Sequence, residues 1–534
     1  MARLYHSVDF DPPQSKALDT ILRAPVTESV RDLTVRHGRT HWRNTVYGRT
    51  TKSDADSVEV HVIEILNTIP KGRLIRFGYV PSTIHTFRDD IDVCRLLHQS
   101  PLSPQALSLL TQRHKNTIRH LSFCEVTSWQ EETALVPANL SSLESRTVNE
   151  GDGVEKIISA NRNSLQRLHL GQERHLIEQY HRTRVGFFDQ IPRPSDTFFA
   201  TAFALESMPQ LRELSLCGLD LTSLRPASIQ QALFLCQLER LSLESCPGTA
   251  ELLESIAGTF HWSTYAPDAP QSPRIIPSLK HFLLRHENPT NALKDAVIRF
   301  LTSFTGLRGL SLLFENAAIL ERPSTLIAEH GPTLHTLVLE SRLQPREHLS
   351  LDTSRPFGVG GYSSDLWVDT IDDISRLCPK LESLGMGFPW NDEMVRLRKT
   401  ALPALANLKT IHIRNFPENQ VFSQMGDYSI KEYATKFIEW AFPALLGGQK
   451  PSLEQLAIGP TVYASRWTML PATSANGARN QVPEFLRTHH FCLDWAKTRF
   501  GLWSALITPV SEKFMEELAG EKPLRGVFEQ VWLR

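Results

Sequence analysis

Leu279-Lys280-His281-Phe282-Leu283-Leu284, Leu307-Arg308-Gly309-Leu310-Ser311-Leu312 and Leu334-His335-Thr336-Leu337-Val338-Leu339 each carry apolar residues at positions one, four and six. Their first residues lie 28 and 27 apart. Positions four and six are separated by two residues, the period of a short strand with one buried face. One such strand cannot bury its apolar edge alone, so copies must stack.

Working outward, good copies of the hexamer begin at Leu165, Leu211, Leu238, Leu381, Leu408 and Leu453. Weaker ones begin at Val30, Leu74 and Ile118, which makes twelve. Successive spacings are 44, 44, 47, 46, 27, 41, 28, 27, 47, 27 and 45. The short spacings and the L-x-x-L-x-L core are those of leucine-rich repeats. The long ones hold either an insertion or a degenerate copy. Pro209, Pro277, Pro332, Pro379 and Pro451 each stand two residues before a copy. There a proline ends the preceding helix and presets an extended chain.

Between copies the apolar period changes to that of a helix. Leu293, Val297, Phe300, Leu301 and Phe304 share one helical face, with Thr290 or Asn291 as cap. Ile371, Ile374, Leu377 and Cys378 repeat the pattern up to Pro379. The expected fold is therefore an α/β leucine-rich-repeat solenoid, with a curved parallel sheet on the concave side and helices on the convex side. The expected division is a cap or helical lead-in at 1–28, degenerate repeats at 29–160, the main solenoid at 161–460 and a capping segment at 461–534. Residues 261–277, 341–366 and 471–482, rich in Pro, Gly or small polar residues, read as loops.

Lys and Arg number 57 against 58 Asp and Glu, a net charge of −1. That balance argues against nucleic acid or an anionic membrane as the main partner. Seven cysteines without a C-x-x-C pair read as reduced thiols of a cytoplasmic or nuclear protein. No signal peptide and no window of 18 apolar residues is present.

Catalytic motifs are scarce. Gly358-Val359-Gly360-Gly361 lacks the Gly-Lys-Ser/Thr and helix start of a phosphate-binding loop. His489, His490, Cys492 and Asp494 are ligand types at close range; on a helix, His490 and Asp494 would share a face. No second ligand cluster accompanies them, so the expectation is no metal, no cofactor and no catalytic residue. A hydrolytic or metal enzyme using His490, Cys492 and Asp494 is the least favoured reading.

The more informative residues are those at positions three, five and seven, which point away from the Leu row. Among them Arg240, Glu244, His281, Arg285, Glu340, His412 and Arg414 form an expected concave strip for recognising a protein segment.

Cys378-Pro379-Lys380-Leu381-Glu382-Ser383-Leu384 resembles the C-P-x-L-x-x-L boundary of F-box/leucine-rich-repeat proteins. Leu241-Ser242-Leu243-Glu244-Ser245-Cys246 resembles the ending of their cysteine-containing repeats. Leu4-Tyr5-His6-Ser7-Val8-Asp9-Phe10 with Val30-Arg31-Asp32-Leu33-Thr34-Val35 resembles the stretch after the F-box in fungal members. Only Cys246 fills the closing Asn/Cys position, so irregular repeats are expected. The resemblance implies a non-enzymatic substrate-recognition subunit of an SCF-type ubiquitin ligase. Its repeats would hold a protein substrate. The F-box that docks on the Skp adaptor and cullin is not expected in this chain, so those partners apply only if one is encoded upstream. The alternative is a repeat scaffold with no ubiquitin link.

Overall fold

All twelve hexamers lie on β-strands of the computed structural model, which describes residues 7–10, 29–37, 52–81, 102–123, 136–146, 148, 153–171, 208–222, 237–265, 278–287, 289–315, 323–342, 364–388, 401–414, 430–443, 450–459 and 489–510. The chain divides into two compact units. One comprises residues 1–252 with 465–481, the other residues 253–464 with 482–534.

The first unit holds strands β1 (Ser7–Phe10), β2 (Asp32–His37), β3 (Arg76–Pro81), β4 (His120–Phe123), β5 (Ser142–Ser145), β6 (Arg167–Gly171), β7 (Glu213–Cys217) and β8 (Arg240–Glu244). Each pairs in parallel with the next. Its described helices are α1 (Lys52–Thr68), α2 (Pro104–His114) and α3 (Val154–Asn161). Position four stays in register, so Leu33, Phe77, Leu121, Leu143, Leu168, Leu214 and Leu241 form one row. Every member is at most 2% exposed. Burial of such a side chain stabilises by roughly 1.5–3 kcal/mol. That repeated gain selects this register over a slip of one residue, which would turn the whole row to the opposite face.

Two strands of this unit lay outside the expected copies. β5 shows that the 47-residue gap after Ile118 hides a degenerate copy, Leu140-Ser141-Ser142-Leu143-Glu144-Ser145, whose sixth position is a buried serine. β1 lies within residues 1–28, expected as a cap or helical lead-in.

In the second unit, β9 (His281–Glu287), β10 (Gly309–Glu315), β11 (Thr336–Arg342), β12 (Ser383–Met386), β13 (Thr410–Ile413) and β14 (Gln455–Ile458) are again parallel in chain order. α4 (Thr249–Tyr265) runs across the boundary between units. It continues through residues 261–265, which had read as the start of a loop. α5 (Asn291–Thr302), α6 (Pro323–Ile327), α7 (Ser364–Leu377) and α8 (Ile430–Ala441) follow. The Thr290 hydroxyl accepts from Leu293 N at 3.2 Å and so caps α5. Phe282 of β9 meets Phe300 of α5 with ring centroids 4.9 Å apart, and Phe300 meets Phe304 at 5.2 Å. This contact packs the apolar helix face on the Leu row.

The parallel order ends after β14. β15 (His489–Lys497) and β16 (Trp503–Val510) join antiparallel, β15 pairing with β14. Trp495 lies on the buried side of β15 and donates its indole N–H to Leu453 O at 2.7 Å. The described part of the expected capping segment is thus a hairpin. Trp532 and the Gly358–Gly361 run fall outside the described residues, as do 471–482. Among the described residues, no helix is long and apolar enough to cross a membrane.

Candidate binding face

Within the first unit, position three forms a second row on the opposite side of the strands. Asp32, Arg76, His120, Ser142, Arg167, Glu213 and Arg240 are in register on β2 through β8. They are half-buried, except Arg76, whose side chain is 60% exposed. Arg76 stands 3.9 Å from the Asp32 carboxylate. Arg167 reaches over the small Ser142 and donates to His120 Nδ1 at 3.2 Å. Burial lowers the His120 pKa to about 4; Arg76, Arg167 and Arg119 add to this, and Asp32 opposes it.

One step along the same strands, Arg146 Nε donates to Glu144 at 3.1 Å. Burial alone would raise the Glu144 carboxyl. The charges of Arg146 and His169, with hydrogen bonds from Ser122 and Arg146, outweigh it and hold the group below its ordinary value. His169 is lowered to about 4, mainly by burial.

The seven residues expected as an accessible strip fall into separate places. Arg240 and His281 are half-buried. His281 extends over Gly309 of the next strand, where an added Cβ would come within 2.6 Å of its Nδ1. The other five, expected in the strip that recognises a protein segment, are buried rather than open to solvent. Glu244 is 1% exposed, Arg285 7%, Glu340 2%, His412 1% and Arg414 3%. Glu244 stands in register with Cys217, and Arg285 with Leu313.

Three of the five meet. Arg414, just past β13, donates through Nε to the Glu340 carboxylate on β11, two strands away. It also approaches His412 Nδ1 at 3.5 Å, and His412 Nε2 donates to Gly459 O at 2.8 Å. Neighbouring strands lie about 4.8 Å apart, so a side chain can reach the second neighbour only where the first carries none. The intervening strand supplies Gly385 in register with His412, and Gly387 follows it. Ala457 is in register with His412 on the other side. Small neighbours therefore let long polar side chains lie flat and become covered.

Nucleophiles and metal ligands are poorly placed. Cys246 is buried, and burial pushes its thiol up to about 12. Its sulfur donates to Glu244 O at 3.3 Å, which makes it part of the turn after β8. Burial likewise pushes Cys378 up to about 12. His490, Cys492 and Asp494 lie on a strand, which corrects the helical geometry assumed for them. Period two places all three on one side of β15. Burial and then Asp494 raise the Cys492 thiol, opposing the thiolate that metal binding needs. Among the described residues, no group of three or more His, Cys, Asp or Glu could hold a metal ion.

A buried polar device recurs beside the hexamers. His114, Asn161 and His330 each stand four residues before a hexamer. Each accepts a hydrogen bond from the first amide of the preceding hexamer: Leu74 N to His114 Nδ1 at 3.5 Å, Leu140 N to Asn161 Oδ1 at 2.7 Å and Leu307 N to His330 Nδ1 at 3.4 Å. A Thr or Ser three residues later donates back to the carbonyl of each, at 2.9–3.1 Å. The unit His/Asn-x-x-Thr/Ser-Leu/Ile was legible as a motif. Its long-range partner was not.

Comparison with protein-family models gives no match, and comparison with curated proteins gives none either.

Proposed function

We propose that the chain is a leucine-rich-repeat solenoid that binds a protein partner, without catalysis of its own. By its resemblance to F-box/leucine-rich-repeat proteins, it would serve as the substrate-recognition arm of a cullin-based ubiquitin ligase. The supporting observation is the in-register row of half-buried or exposed polar side chains from Asp32 to Arg240, opposite a filled apolar row. A partner laid across the strands would touch side chains from many repeats at once, which suits recognition of an extended surface. The partner-binding role proposed for Arg240 and His281 rests on their partial exposure.

Co-purification from the native source tests the ligase link. The expected result is enrichment of a Skp adaptor and a cullin with the chain encoded by the full native transcript. Absence of both would leave the scaffold reading. Reading the transcript upstream of the Met1 codon for an in-frame F-box pattern decides whether attachment is encoded.

A further inference from the structure

We propose that the position-three row of the first unit binds an extended acidic protein segment, through Arg76 and Arg167 with His120 between them. The inference rests on reading this side of the sheet as a binding face and names the chemistry of its partner.

The first observation is the concentration of basic groups. Arg76, His120 and Arg167 occupy one register line on β3, β4 and β6. Arg167 Nη2 lies 3.2 Å from His120 Nδ1. A guanidinium can only donate, so His120 accepts there and carries its proton on Nε2. The low His120 pKa, to which Arg76, Arg167 and Arg119 contribute after burial, reports the positive potential at this point. Asp32 is the acidic group that opposes them, and it stands beside Arg76 at one end.

Spacing supplies the second observation. Arg76 and Arg167 are three strands apart, about 14 Å at the usual strand separation. An extended chain advances about 3.4 Å per residue and places alternate side chains on one side. Two carboxylates four residues apart on such a chain would therefore face both arginines. The guanidinium fork donates two parallel hydrogen bonds to a carboxylate, a geometry lysine does not offer.

Charge pattern separates this occupant from nucleic acid. Glu213 follows Arg167 in the row and Asp32 precedes Arg76. A uniform phosphate backbone laid along the row would meet both carboxylates. A peptide with two spaced acidic residues meets only the basic stretch. The net charge of −1 for the whole chain agrees with a local rather than a general affinity for anions.

The test uses the full chain and three ten-residue probes by fluorescence anisotropy. One peptide carries Glu at two positions four apart, the second carries Lys there, and the third is neutral. A ten-nucleotide single-stranded DNA serves as a fourth probe. The expected result is binding of the Glu peptide, weakened at least tenfold by Arg76→Glu and by raising salt from 50 to 300 mM. In histidine-labelled protein, the His120 resonance should shift with the peptide, its pKa rising as carboxylates enter. Arg76 is largely exposed, so its replacement should leave the melting temperature unchanged. Arg167→Gln gives a second variant, expected to weaken binding to a similar degree. Glu-peptide binding that neither variant alters would overturn the proposal, as would tighter binding of the DNA. Binding of the neutral or Lys peptide alone overturns the acidic assignment yet leaves the face a binding surface. Binding of no peptide removes support from both.

Discussion

Arg414 donates to the carboxylate of Glu340 across an intervening strand, and both side chains are almost wholly buried. Two opposite charges withdrawn from water attract strongly, but each has lost its hydration. The pair therefore contributes less to stability than its geometry suggests. Losing one member is costly because the buried charge of the other loses its oppositely charged partner.

Arg414→Leu is accordingly expected to destabilise by about 3–5 kcal/mol. The double variant Glu340→Leu/Arg414→Leu should recover much of that loss. Urea unfolding of the four species of the cycle checks this. Additive losses in the double variant would show that the two residues are not coupled.

Asn161 has three partners: it accepts from Leu140 N at 2.7 Å and donates to Pro137 O and Ile157 O, both at 2.8 Å. Asn161→Leu would strand a buried amide and the Pro137 carbonyl, each costing about 1–3 kcal/mol. We expect a loss of at least about 2 kcal/mol in chemical denaturation, whereas Asn163→Ala, two residues on and exposed, should change stability by less than about 1 kcal/mol. Similar losses from the two would contradict this role for Asn161.

Burial lowers His330 to about 4, and burial with Arg113 lowers His114 to about 4, against 6.5 for an ordinary histidine. Between those values the unfolded chain takes up protons that the folded chain refuses. Stability should be flat above about pH 6.5 and fall steadily toward pH 4. Midpoints of urea unfolding at pH 7.5, 6 and 5 measure the slope. His330→Asn, which keeps an acceptor, should flatten it. An unchanged slope in that variant would remove His330 as a cause.

Leu337 is fully buried on β11, and Thr336 beside it is half-buried on the other side. Leu337→Asp forfeits roughly 1.5–3 kcal/mol of burial and strands a charge in the core. It should unfold the neighbouring strands and helices, whereas Thr336→Asp should lower the melting temperature by only a few degrees. Thermal scans of both variants test the side assigned to each residue.

Much of the fold was legible because the hexamer is a local pattern. Leu310, Leu337 and their equivalents announce a strand by spacing alone, and all twelve copies lie on strands in the expected parallel order. The Ser142 strand was missed because a serine occupies its sixth position, where only a neighbouring row of Leu makes a strand stable. β15 was missed for a different reason: His489 to Lys497 alternates, but it pairs antiparallel with β14 and so carries no hexamer.

The candidate face divides in the same way. Sequence alone determined which side of each strand Arg240, His281, Glu340 and Arg414 occupy, because side chains alternate along a strand whatever lies beside it. It also determined the parallel stacking, because each apolar edge required a neighbour. Tertiary structure alone decided that Glu340, His412 and Arg414 would be buried together while Arg76 stayed exposed. That outcome depends on which residues adjacent strands bring into register, a glycine beside His412 and a serine between His120 and Arg167. Period two is a property of one strand, whereas the room for a side chain to lie flat belongs to its neighbours.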